Sequence, residues 1–102
     1  MIRAKFGSGK NGIAGFTISG HSGYSEEGSD IVCAAVSAMA GLVIHISVDI
    51  YEDTGAVYQD EKKAELKFYP EKAVSEALVE GLFDQLSALA EEYPEYVSVE
   101  RK

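Results

Sequence analysis

Residues 31–51 read IVCAAVSAMAGLVIHISVDIY, and the reading of this stretch decides the fold. Ala34, Ala35, Ala38 and Ala40, together with the length of the run, favour helix over strand. The run is apolar on nearly every face, so it is expected to form a central, buried helix. Its β-branched end, Val43 to Ile50, leaves the far boundary open. Just upstream, Ser29 is a good N-cap and Asp30 falls inside the first turn.

The rest of the chain reads outward from that helix. Ile2, Ala4 and Phe6 alternate with Arg3 and Lys5, the period of a half-buried strand. Gly7 to Gly12 reads as a turn and Ile13 to Ser19 as a second strand. Gly20 to Gly28, rich in glycine and serine, reads as a loop leading into the helix. Beyond the helix, Ala56 to Gln59 and Ala64 to Tyr69 form a hairpin closed by Asp60 to Lys63. Pro70 ends that strand near a helix start. Val74, Ala77, Leu78, Leu82, Leu86, Leu89 and Tyr93 then recur at helical spacing, and Pro94 stops the run. Val97 and Val99 close the chain as a strand. The order β-β-α-β-β-α-β predicts one small α+β domain over residues 1–102. It has a largely antiparallel sheet of about five strands with two main helices packed on it.

Composition narrows the function. The chain has 102 residues, 46% hydrophobic and 25% charged, an ordinary globular mix for one domain. Nine Lys and Arg stand against 17 Asp and Glu, a net charge of −8. The basic residues form no stripe to neutralise phosphates, so direct nucleic-acid binding is not expected. An acidic surface favours a Lys/Arg-rich peptide as partner. No segment is expected to reach the length of a membrane span, and the start, MIRAKFGSGK, lacks a signal-peptide pattern. One cysteine allows no internal disulfide, and the cytosol is the default compartment.

Two motifs lose to plainer readings. Gly7, Gly9 and Gly12 match the dinucleotide fingerprint, with Asp30 near the expected distance for a ribose contact. That motif needs its last glycine to open a helix, whereas Ile13 to Ser19 reads as strand. A hairpin turn with Asn11-Gly12 is the better reading. One Cys and two His without paired spacing make no closed zinc site, so no metal or cofactor is expected. His45, inside the apolar run, is expected as a core or interface histidine.

Cys33 has two readings. One is a small buried hydrophobe. The other follows from its place near the end of the first helical turn. Side chains there tilt back toward the helix start, where unpaired N–H groups and the positive dipole end favour a thiolate. His21 sits where the second strand ends and the loop begins, and the loop must return to the helix start. That path can bring imidazole and thiol together as base and nucleophile. N–H groups around Cys33 can then hold an oxyanion. Asp30 either orients His21 or complements the helix dipole. Ser37, one turn after Cys33, either supports the thiol or bonds its own backbone. Gly20, Gly23 and Gly28 either let the loop close or simply link.

The run Gly20-His21-Ser22-Gly23, followed by Gly28-Ser29-Asp30-Ile31-Val32-Cys33-Ala34-Ala35-Val36-Ser37-Ala38, resembles the bacterial ribosomal-processing cysteine protease family, Prp. The family pattern is a Gly-His pair, a glycine-containing loop, then Asp-Ile-Val-Cys-Ala followed by Ser. Ser22 departs from it, since alanine is common there; it adds a hydroxyl beside the base. The resemblance implies that Cys33 is the nucleophile and His21 the general base, with Gly20, Asp30 and Ser37 at recurring positions. It implies a cytoplasmic homodimer. It also implies a substrate: a basic large-subunit ribosomal protein whose short N-terminal extension is removed during ribosome assembly. Two other readings compete. One is a non-catalytic ribosome-associated binding module, and the other a thiol redox sensor.

Overall fold

The computed structural model describes residues 1–9, 12–25 and 30–102. Two strands open the chain, β1 (Ile2–Gly9) and β2 (Gly12–Ser19), followed by helix α1 (Ile31–His45), which runs on into a π-helical turn, Ile46–Ile50. The hairpin β3 (Ala56–Asp60) and β4 (Glu65–Tyr69), helix α2 (Ala73–Glu92) and strand β5 (Val97–Arg101) complete it. The sheet order is β3-β4-β2-β1-β5. Every pairing is antiparallel except that of β1 with β5, so the expected largely antiparallel α+β sheet is present with one parallel edge. The N-terminal glycines belong to a β-hairpin, and Gly12 opens a strand, which removes the helix a dinucleotide site needs. Lys10 and Asn11, expected in a turn, lie outside the described residues.

Period-two patterning sets the core. Ile2, Ala4 and Phe6 of β1, Phe16 and Ile18 of β2, Phe68 of β4 and Val97 of β5 all point to one face and are buried. Cross-strand register places Phe6 opposite Phe16 and Phe16 opposite Phe68. Their rings step across the sheet at centroid distances of 5.9 and 6.1 Å, and Phe83 of α2 meets Phe6 edge-on at 5.2 Å. Both helices contribute to this single core, α1 through Val32, Val36, Ala40 and Val43, and α2 through Val79, Leu82 and Leu86. Each such side chain contributes roughly 1.5–3 kcal/mol of transfer free energy when fully buried.

Helix α1 departs from expectation in three ways. It is not buried all round: Ile31, Leu42 and Ile50 are 57%, 59% and 60% exposed. A two-layer domain of this size has nothing to place on the far side of α1, so its apolar outer face stays open. The segment Ile31–Ile50 is also 20 residues long and apolar enough, by length and composition, to cross a bilayer, contrary to the expectation that no segment reaches that length. Here it packs one stripe against the sheet and α2. Finally, His45 is no core histidine; it is exposed and its Nδ1 lies 2.7 Å from Asp49 Oδ2, one turn on.

A second unexpected feature joins the two helices. Lys72 stands at the N-cap of α2 without a capping side chain. Asp53, 4% exposed, supplies the cap from a distant turn, accepting from the backbone N–H groups of Lys72 (2.9 Å), Glu71 (3.0 Å) and Gly55 (2.7 Å). Burial pushes its carboxyl up, but the Ser75 side chain and these N–H groups outweigh burial and hold it at about 2. The folded value lies below the ordinary 3.8, so the carboxylate stabilises the fold above that value. That contribution is lost as pH falls from 3.8 toward about 2. Urea unfolding followed between pH 6 and 2 should show the loss in this window. Asp53→Ala should remove about 1–2 kcal/mol at neutral pH and flatten the acid decline.

Candidate active site

The β3–β4 hairpin carries the sheet past the helices and leaves part of its inner face uncovered. Between that face and α1 lies an open cleft of about 640 Å³. Ile2, Ile18, Val57, Gln59 and Leu66 line it on the sheet side, and Cys33, Val36, Ser37, Ala40 and Ile44 on the helix side. Asp60, Glu61 and Glu65 line its hairpin end, and Gly20 and His21 enter where β2 stops. Cys33, His21, Ser37 and Gly20 therefore line one cleft.

Gly20 fixes the exit from β2. Its N–H donates to the Ala64 carbonyl at 2.9 Å, tying the strand end to the β3–β4 turn. Its φ is +90°, and a Cβ there would collide with the Met1 carbonyl oxygen, so a side chain is excluded on both grounds. His21 follows directly and is exposed at the cleft.

Asp30 fixes the start of α1. It stands at the N-cap itself, the place sequence reasoning gave to Ser29, which lies outside the described residues with Gly28. Its Oδ1 accepts from the N–H groups of Val32 (3.0 Å) and Cys33 (2.9 Å). Its Oδ2 accepts from the Ser22 hydroxyl. That hydroxyl, more than any other group, lowers the Asp30 carboxyl to about 2. Burial opposes it, and the backbone N–H groups of Cys33 and Ser25 assist. Of the two roles considered for Asp30, capping is the one its bonds serve.

This cap corrects the picture of the thiol. The first-turn N–H groups do not stand open before the sulfur: those of Val32 and Cys33 already donate to Asp30, so they are not free to hold an oxyanion. Cys33 is half-buried, and its sulfur instead receives a hydrogen bond from the Ser22 N–H at 3.3 Å. The Ser22 hydroxyl, expected beside the base, is turned onto Asp30. Ser37 is exposed on the cleft side of α1. Among the described residues no group of three or more His, Cys, Asp or Glu is arranged to hold a metal ion.

Sequence reasoning missed Tyr24. Its ring meets Tyr93 and Tyr96 edge-on, at 5.7 and 5.3 Å, and pins the loop after His21 to the α2–β5 junction. The signal was an aromatic residue set in a glycine-rich loop.

The model of the cysteine protease Prp family matches residues 1–98. The ribosomal processing cysteine protease Prp of Bacillus subtilis is 31% identical over 86% of this chain and 85% of its own. The Staphylococcus aureus ribosomal processing protease Prp, solved with a covalently linked product peptide, superposes with a TM-score of 0.92 at 20% identity, covering 100% of both chains. A Streptococcus mutans structure superposes at 0.83 with 27% identity, over 99% of this chain and 93% of that one. With its fold, its cleft and this match over nearly its whole length, the chain belongs to the cysteine protease Prp family.

Proposed function

We propose that this chain is a cysteine endopeptidase that removes the short N-terminal extension of a large-subunit ribosomal protein. Cys33 is its nucleophile and His21 its general base. The observation that carries the reading is the shared cleft: a half-buried thiol at a helix start and an exposed imidazole at a strand end line one open groove. The acidic groups at its hairpin end, Asp60, Glu61 and Glu65, suit a basic substrate, as does the net charge of −8.

The chemistry is acyl transfer. The Cys33 thiolate attacks the scissile carbonyl carbon and a tetrahedral oxyanion forms. Its collapse breaks the C–N bond, the imidazolium of His21 protonates the leaving amine, and a thioester remains on Cys33. His21 then takes a proton from water, the hydroxide attacks the thioester, and the new carboxylate leaves as the thiolate returns. Gly20 sets where the imidazole stands, Asp30 sets where the helix starts, and Ser37 lies beside the thiol in the cleft.

The reading includes a cytoplasmic homodimer. The open apolar face of α1, with Ile31 and Leu42 more than half exposed, supports a second copy covering it. The lone thiol suits a reducing compartment.

Incubation with a ribosomal protein carrying its N-terminal extension tests the activity, with the product mass as readout. Cys33→Ser and His21→Ala should each lower kcat/KM at least about 10³-fold, the scale of losing one member of a nucleophile–base pair. Full cleavage by Cys33→Ser contradicts the protease reading and favours a binding module. For the dimer, sedimentation of wild type should give twice the chain mass and Leu42→Glu the single mass. A monomeric wild type overturns it.

A further inference from the structure

Ser22 is a loop residue that is only 3% exposed, and both its N–H and its hydroxyl are hydrogen-bonded. Its N–H donates to the Cys33 sulfur at 3.3 Å. Its hydroxyl donates to Asp30 Oδ2 and accepts from the Tyr24 N–H at 3.1 Å. The same Asp30 carboxylate accepts from the N–H of Cys33 at 2.9 Å. One carboxylate therefore locates both the residue that bears the sulfur and the residue that donates to it.

The hydroxyl link is what makes that pairing rigid. Ser22 lies between Gly20 and Gly23, whose φ values are +90° and +74°, and nothing crowds Gly23. Gly20 is already held by its bond to Ala64 and Tyr24 by its ring contacts, so the freedom left to the segment lies at Gly23. Without an anchor, the Ser22 N–H would sample many directions, only some of them toward the sulfur. An N–H held on sulfur favours the thiolate over the thiol, because it bonds the charged form more strongly.

The geometry points to Ser22 as a positioning residue for the nucleophile: its hydroxyl, clamped by Asp30, fixes its own backbone N–H on the Cys33 sulfur. The inference rests on the reading of Cys33 as the nucleophile. It assigns Ser22 no contact with substrate.

The test compares wild type, Ser22→Ala and Ser22→Thr in two measurements: the rate of Cys33 alkylation by iodoacetamide across pH, and kcat and KM for a ribosomal-protein peptide. In Ser22→Ala the pH midpoint of alkylation should rise by about one unit, equivalent to about tenfold less thiolate on the acid side of the midpoint. kcat at neutral pH should fall by a similar factor while KM holds. Ser22→Thr keeps the hydroxyl that Asp30 holds, so its midpoint and kcat should stay at the wild-type values. A wild-type midpoint in a folded, cleaving Ser22→Ala overturns the positioning role and leaves the protease reading intact. If Ser22→Ala does not fold, a folded Ser22→Thr that keeps the hydroxyl yet shifts its midpoint by about one unit overturns it instead. A wild type that cleaves nothing and whose Cys33 alkylates like a free thiol overturns the protease reading, and the positioning role with it.

Discussion

One buried carboxylate organises the site. Asp30 is 9% exposed, and its two oxygens face opposite tasks: one closes the first turn of α1, the other holds the loop that arrives from β2. The helix end supplies donors that need an acceptor, and the loop supplies a hydroxyl that needs one too. A single ionised group satisfies both. The two halves of the site therefore cannot drift apart without leaving a buried charge short of partners, which is an expensive state. The thiol and the N–H on its sulfur inherit their relative position from this bond.

The cleft is a consequence of strand order. Residues of β1, β2, β4 and β5 meet the helices in one core, while β3 extends the sheet beyond it as an edge. The inner face of that edge strand, Val57 and Gln59, has α1 opposite but nothing on top. A groove open to solvent and floored largely by apolar side chains results. The same economy of layers leaves the far side of α1 uncovered. One helix thus presents Cys33 to the cleft on one side and an apolar surface on another.

The parts of this structure visible in the sequence are those set by local periodicity. Ile2, Ala4 and Phe6 announced a strand by alternation, the Val74–Tyr93 spacing announced α2, and Gly20-His21 with Cys33 announced the site. What stayed hidden depends on contacts distant in sequence. Either Ser29 or Asp30 suits a cap, and only the path of the loop decides between them. Asp53 caps α2 from 19 residues upstream, and nothing at Lys72 signals it. The apolar run of α1 carries no mark of which side faces solvent, because core and exposed positions hold the same residue types. His45 was misread for that reason: an apolar neighbourhood in sequence was taken for one in space. Ser22 was legible as a departure from a pattern, but the partner of its hydroxyl was not.

The ionisation of Asp30 tests this account most directly. A ¹³C-detected titration of its side-chain carboxyl, resolved from the other acidic residues by site-specific assignment, reads that group alone. The account predicts a midpoint at about 2, with the Ser22 and Cys33 amide signals shifting in step as the carboxylate is protonated. A midpoint at the ordinary 3.8, with those amides unmoved, would mean that the carboxylate holds neither the loop nor the helix start.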